Sequence, residues 1–129
     1  MAKKIEILVV DDERGYRDMF VFILEPLGIS VTCVEDGQAA VEKVKEKAYD
    51  LIFTDVHMPK LSGPAAIKMI KAMRPEQKIV IFSSSSDPEY RLEKEAEENG
   101  IVECLFKPVD HTELQRVLKK ALGIHFANT

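Results

Sequence analysis

Five short apolar runs alternate with amphipathic segments along the chain. The runs are rich in β-branched residues and lack a regular polar face, which is typical of strands covered on both sides, as in a parallel sheet. We predict strands at residues 5–10, 31–34, 51–54, 79–82 and 101–106. Because a helical pattern follows each run after a short connection, the chain predicts a βα unit repeated five times, folded as a doubly wound α/β sheet with helices on both faces.

Four of the helical segments carry a well-defined apolar stripe. The stripes are Tyr16, Met19, Phe20, Ile23, Leu24 and Leu27; Ala40, Val41, Val44 and Ala48; Ile67, Ile70 and Met73; and Leu114, Val117, Leu118, Ala121 and Leu122. We expect Asp110 and Glu113 to form a capping box at the start of the last helix. The segment 87–100 also predicts a helix, but its stripe is thin, so we expect it to pack loosely on the sheet.

Length and charge narrow the class of protein. The 129 residues suit a single domain, and we expect it to span residues 1–123, with a tail at 124–129. The net charge of −4 disfavours direct binding of nucleic acid, and no apolar run is long enough to cross a membrane, so we expect a cytoplasmic protein. Cys33 and Cys104 have neither metal-finger nor CxxC spacing, and we expect both to be reduced thiols in the core.

Polar residues lie at the carboxyl ends of four predicted strands. In an open parallel sheet ligands bind outside these ends, where residues distant in sequence converge. The residues are Asp11, Asp12, Asp55, Ser83, Ser84 and Lys107. Each has an ordinary explanation when taken alone, such as a helix cap, a polar loop or a solvated lysine. Their joint placement predicts one pocket with three carboxylates, hydroxyl groups and an ammonium group.

This set of groups suits phosphoryl chemistry. Clustered carboxylates favour a hard, oxygen-binding cation such as Mg²⁺. The cation beside Asp55, with Lys107 and the Ser83 hydroxyl, would contact the oxygens of a phosphoryl group. The pocket therefore fits a phosphoryl group carried on an aspartate.

Four motifs in this order resemble a known family. "VVDDE", "FTDVHMP", "IVIFSS" and "LFKP" are similar to the receiver domain of two-component response regulators, including the chemotaxis and sporulation single-domain regulators. The resemblance covers essentially the whole chain. It implies a flavodoxin-like (βα)5 fold with strand order 2-1-3-4-5, and a phosphorylation-dependent signalling switch.

The resemblance also implies roles for particular residues. Asp55 would accept a phosphoryl group from a phosphohistidine on a histidine kinase or phosphotransfer protein. Asp12, Asp55 and the backbone carbonyl of His57 would bind Mg²⁺, and Asp11 would help to position the ion. Lys107 would pair with Asp55 and later with its phosphate.

The same resemblance assigns the switch and its output. Ser83 would be the switch hydroxyl, in a position where threonine is frequent, with Ser84 beside it, and the peptide bond from Lys107 to Pro108 is expected to be cis. Cys104 stands where the family usually has an aromatic ring that changes position, so signalling would rely on shifts of the predicted helix 87–100 and of the last strand.

These segments and the last helix would form the output face. It would contact a downstream effector protein or a fused output domain. We expect the chain to be a monomer or weak dimer.

Three other functions are open to this architecture. A Mg²⁺-dependent phosphohydrolase would carry a second aspartate two residues after the nucleophile, where this chain has His57, so we expect no enzyme beyond self-phosphorylation and self-dephosphorylation. A flavin carrier would need a phosphate-binding loop where Asp11, Asp12 and Glu13 stand. A pseudo-receiver would bind partners without phosphorylation, although every expected pocket residue is present.

Overall fold

The computed structural model describes residues 4–56, 63–84 and 101–124. Five strands in this part of the chain are β1 (Glu6–Val10), β2 (Ser30–Val34), β3 (Leu51–Asp55), β4 (Ile79–Ser84) and β5 (Glu103–Lys107). Four α-helices are α1 (Arg14–Leu24), α2 (Gly37–Glu46), α3 (Gly63–Met73) and α4 (His111–Leu122), and a short 3₁₀ helix spans Glu25–Leu27. The predicted helix 87–100 lies outside the described residues.

The strands form one parallel sheet in the order β2-β1-β3-β4-β5. This order confirms the prediction of a doubly wound flavodoxin-like sheet. All the neighbouring strands run in the same direction, so their carboxyl ends meet along one edge. We call this the carboxyl edge.

Successive side chains along each strand point to opposite faces of the sheet, so the core has two layers. Ile7 and Val9 of β1 point to the face covered by α1 and α4. Leu8 and Val10 point to the opposite face, covered by α2 and α3. The largest side chains of the first layer include Phe20 and Phe53, whose ring centroids lie 4.8 Å apart. Because both faces are covered, the central strands are apolar at successive positions, as the sequence pattern predicted.

Three predicted stripe residues are not in the core, and one of them, Met73 at the end of α3, is 39% exposed. Leu27 is 47% exposed, because α1 ends at Leu24 and the tighter 3₁₀ helix turns Leu27 away from the sheet. Gly28 then closes this segment with a left-handed backbone, φ 82°. Ala48 is exposed because α2 ends at Glu46 and Lys47 is extended, so the next residue, Tyr49, is buried instead.

Several strand ends also differ from the prediction, by one or two residues. Asp55, Ser83, Ser84 and Lys107 are parts of their strands rather than the residues that follow. The register explains the extension, because Asp55 is paired with Phe82 and Ser84 with Lys107. At the other end, β5 begins at Glu103, two residues later than predicted.

The two cysteines lie on opposite edge strands of the described sheet. Cys33 is on β2 and Cys104 on β5, and both are partly buried. A disulfide between them is therefore excluded by the topology. Among the described residues, no helix has the length and apolar character needed to cross a membrane.

Candidate functional site

Three aspartates converge at the carboxyl edge. Asp11 and Asp12 follow β1, and Asp55 is the last residue of the neighbouring strand β3. One carboxylate oxygen from each lies within 4.8 Å of the others. Asp11 and Asp55 are buried, whereas Asp12 is exposed at the mouth of the cluster. The structure thus brings together the three carboxylates that the strand-end argument predicted.

Lys107 joins the cluster from β5, two strands away from Asp55. Its side chain passes the end of β4, and its Nζ lies 5.3 Å from the centroid of the Phe82 ring. Nζ is 3.1 Å from Oδ2 of Asp55 and 3.1 Å from Oδ2 of Asp11. One ammonium group therefore bridges the two buried carboxylates.

Asp11 is held from several directions. Its backbone N–H donates to the carbonyl of Val34, and its Oδ1 accepts a hydrogen bond of 2.8 Å from the backbone N–H of Glu13. Arg17 donates a hydrogen bond of 2.8 Å from Nη1 to the carbonyl of Asp11. These contacts fix the carboxylate in place at the end of β1.

Burial opposes the charge on Asp11. Desolvation raises the pKa of Asp11 from 3.8 to about 6, although the Glu13 N–H and the Lys107 ammonium favour the ionised form. Burial alone would lower the pKa of Lys107, but its contacts with Asp11 and Asp55 outweigh this and raise that pKa above its usual value. Lys107 is therefore a fixed positive charge at neutral pH.

The carboxylates fit a hard divalent cation. Apart from its ion pair with Lys107, the buried Oδ2 of Asp11 has no hydrogen-bond partner among the described residues. A buried carboxylate oxygen with unused lone pairs, beside two further carboxylates, is the donor set that Mg²⁺ prefers. The acidic cluster of Asp11, Asp12 and Asp55 could thus hold a metal ion.

Two contacts of Lys107 were missed by the sequence argument. Oε1 of Glu13 lies 3.3 Å from Nζ, and the ring of Tyr16 lies 4.3 Å from it. Tyr16 was assigned to the apolar stripe of α1, and the pattern carried no sign that its ring also faces the ammonium. Glu13 follows the two aspartates directly, and this adjacency was the available signal.

The remaining predicted residues are placed only in part. The backbones of Ser83 and Ser84 end β4 beside Phe106 and Lys107, but their side chains lie outside what the structure describes, as does all of His57. The peptide bond between Lys107 and Pro108 is cis. Cys104 lies in mid-strand opposite Ile81 and packs against the core layer under α2 and α3.

Comparison with known proteins assigns this architecture to a family. A doubly wound parallel sheet with charged side chains at its carboxyl edge places the chain among the α/β domains that bind ligands at that edge. The sequence matches the response regulator receiver domain over residues 7–119. The chain therefore belongs to the receiver domain family of response regulators. Domains of this family are phosphorylation-dependent signalling switches of two-component systems, and the chain shares that function.

Individual relatives agree with this assignment. The chain is 36% identical over 119 residues to the transcriptional regulatory protein ZraR of Escherichia coli (strain K12), an alignment covering 92% of the chain and 26% of that protein. It is 31% identical over 122 residues to the transcriptional regulatory protein FixJ of Bradyrhizobium diazoefficiens, covering 95% of the chain and 58% of FixJ. The chain thus spans about a quarter of ZraR and somewhat over half of FixJ.

A solved structure gives the same fold. The response regulator receiver domain protein of Clostridium thermocellum superposes with a TM-score of 0.83 at 29% identity, over 92% of the chain and 94% of that structure. Receiver domains of response regulators take their signal from kinases and are fused to output domains.

Proposed function

We propose that Asp55 is the phosphoryl acceptor of this receiver domain and that its donor is a phosphohistidine on a histidine kinase or phosphotransfer protein. The position of Asp55 carries the proposal. It is the carboxylate that terminates the central strand β3, its Oδ2 contacts Lys107, and Asp11 and Asp12 lie beside it. The proposal extends to a receiver domain at residues 1–123 with a tail at 124–129, and to a cytoplasmic location.

Asp11, Asp12, Asp55 and the backbone carbonyl of His57 would hold Mg²⁺. When bound, the ion would neutralise the oxygens of the transferred phosphoryl group. Asp11 and Asp12 supply the negative charge that attracts the ion, and the hydrogen bond from the Glu13 N–H keeps the Asp11 carboxylate oriented. Asp55 would be both a ligand and the nucleophile: a carboxylate oxygen would bond to phosphorus as the P–N bond to the donor histidine breaks, and the histidine would leave.

Lys107 would then neutralise the new charge on Asp55. A phosphoryl group on Asp55 carries roughly two negative charges at pH 7, in place of the single charge of the free carboxylate. The ammonium is already 3.1 Å from Asp55, so a small movement brings it to a phosphoryl oxygen. Ser83 would meet another oxygen from the end of β4, with Ser84 beside it. These two movements couple the acceptor to β4 and β5.

The altered ends of β4 and β5 would change the output face, which consists of the predicted helix 87–100, β5 and α4. The partner would be a downstream effector protein or a fused output domain. We propose no turnover of external substrates, no direct contact with nucleic acid, and a monomer or weak dimer.

The test is phosphorylation with acetyl phosphate and Mg²⁺, followed by intact mass spectrometry. The wild-type protein is expected to gain the mass of one phosphoryl group, and Asp55→Asn to gain none. Asp36→Asn is a matched control, because Asp36 caps α2 near the same edge and asparagine caps equally well. The adduct should be lost in base and absent when EDTA is added first.

Other outcomes would contradict the proposal. An adduct of equal yield on Asp55→Asn would place the acceptor elsewhere. If the wild type formed neither an adduct nor a beryllofluoride complex, the pseudo-receiver function would replace the proposed one. Steady hydrolysis of a phosphate monoester would instead establish a phosphohydrolase.

A further inference from the structure

Lys107 is bound by a third carboxylate that stands at the rim of the pocket. Oε1 of Glu13 lies 3.3 Å from Nζ, and the Glu13 side chain is 60% exposed. An ammonium group has three N–H donors. Among the described residues, the carboxylates within reach of these donors are those of Asp11, Asp55 and Glu13.

Helix capping does not account for a glutamate at this position. Glu13 is the N-cap of α1, with an extended backbone, but its side chain makes no cap hydrogen bond within the described residues. Asp36 and Asp110 occupy the same position in α2 and α4, and each accepts a hydrogen bond from the backbone N–H three residues further on. The short side chains of Asp, Asn, Ser and Thr are preferred there. Glu13 instead directs its carboxylate toward Lys107.

The two kinds of carboxylate hold Lys107 in different ways. Asp11 and Asp55 are buried and fixed, whereas Glu13 reaches the ammonium from solvent on a longer side chain. A phosphoryl group on Asp55 needs the same ammonium, because it replaces the single charge of the carboxylate with roughly two negative charges. Glu13 would then compete with the phosphoryl group for the N–H donors and would repel its oxygens.

We propose that Glu13 is a positioning residue that holds Lys107 in its resting place and thereby opposes formation of the phosphorylated state. This role rests on the proposed function of Asp55 as the acceptor. Because Glu13 stabilises the resting position of Lys107, the phosphoryl group must overcome this contact before the switch changes state. Removal of the carboxylate therefore favours the phosphorylated conformation without any change to the acceptor or to the metal ligands.

The test measures the affinity for beryllofluoride, which mimics the phosphoryl group, by fluorine NMR at saturating Mg²⁺. Glu13→Gln is expected to bind it about two- to fivefold more tightly, the range that corresponds to loss of one partly exposed ion pair. Glu35→Gln is the charge-matched control, because Glu35 follows β2 at the same edge and pairs with Arg17 at 3.6 Å. We expect its affinity to equal that of the wild type.

A third variant separates contact from charge. Glu13→Asp keeps the negative charge, but its side chain is one methylene shorter and falls short of Nζ. If contact with Lys107 is the cause, Glu13→Asp follows Glu13→Gln; if it behaves as wild type, the positioning role is wrong. Thermal unfolding of all variants in EDTA shows whether a changed helix cap contributes.

Lysine side-chain NMR in EDTA provides a readout that does not need the phosphoryl analogue. The Lys107 ammonium signal should shift in Glu13→Gln and Glu13→Asp, and an unchanged signal would overturn the proposed resting contact. Equal beryllofluoride affinity in wild type and Glu13→Gln would reject the role of Glu13 alone. Absence of a complex in the wild type would reject the proposed function itself.

Discussion

The middle of the sheet and its carboxyl edge are equally buried but have opposite chemistry. Val10 and Asp11 are adjacent in the chain, and both are 0% exposed. On β3, Phe53 is fully buried in the core, and Asp55, two residues later, is 4% exposed. The boundary between an apolar core and a charged pocket is therefore one or two residues wide.

Burial has opposite effects on stability on the two sides of this boundary. Removal of an apolar side chain from water stabilises the fold, whereas removal of a carboxylate from water destabilises it unless a partner compensates. Lys107 compensates for Asp11 and Asp55 only in part, since the pKa of Asp11 is still raised. The carboxyl edge thus reduces the stability that the middle of the sheet provides, a common property of functional sites.

The largest expected effect is at the middle of the sheet. Phe53→Ala removes a buried ring that packs on Phe20, and we expect it to lower the free energy of unfolding by about 3–5 kcal/mol. Urea unfolding followed by circular dichroism measures the change. Phe22→Ala is the matched control, because Phe22 is 81% exposed, and we expect a change within about 0.5 kcal/mol. Similar losses in both variants would contradict the assignment of the core.

Substitution of Asp11 is expected to raise the free energy of unfolding, by less than Phe53→Ala lowers it. With a pKa of about 6 in the folded state and 3.8 in the unfolded state, Asp11 takes up a proton on folding between these pH values, and stability falls as pH rises through this range. We expect Asp11→Asn to be more stable than wild type in EDTA at pH 8, by up to about 3 kcal/mol. The gain should shrink toward pH 4.

Urea unfolding at several pH values tests this dependence. A gain that is the same at pH 5 and pH 8 would show that Asp11 carries no proton in the folded state. A loss of stability at pH 8 would show that the ion pair with Lys107 outweighs desolvation.

The smallest effect on stability is expected at the neighbouring aspartate. Asp12 belongs to the same cluster but is exposed, so Asp12→Asn should change the free energy of unfolding in EDTA by less than about 0.5 kcal/mol. The variant should nevertheless lose most of the stabilisation that Mg²⁺ gives the wild type, because a ligand bound only to the folded state stabilises it. Unfolding with and without Mg²⁺ separates the two effects. Full Mg²⁺ stabilisation of Asp12→Asn would exclude Asp12 as a ligand.

Much of the fold followed from local patterns, and the errors lie where tertiary contacts decide. The runs of apolar residues predicted the strands. The family resemblance predicted their order in the sheet, and that order was confirmed. Leu27, Ala48 and Met73 were placed wrongly because helical spacing does not show where a helix ends or tightens.

The positions of the main pocket residues were also predictable from the sequence, but some of their contacts were not. Convergence of Asp11, Asp55 and Lys107 followed from the rule for parallel strand ends, and the structure brings them together. The contacts of Lys107 with Glu13 and Tyr16 depend on the path of a long side chain across β4, which no local pattern encodes. The roles of Ser83, Ser84 and His57 stay predictions.

The pocket residues come from β1, β3 and β5, which are far apart in the sequence, and this has a consequence during protein synthesis. Asp11 and Asp55 leave the ribosome well before Lys107, the residue that balances their charge. A nascent chain that ends before β5 holds the two carboxylates without the ammonium group, and it lacks the edge strand that pairs with β4. The ion pairs of the pocket can therefore form only after β5 has been added to the chain.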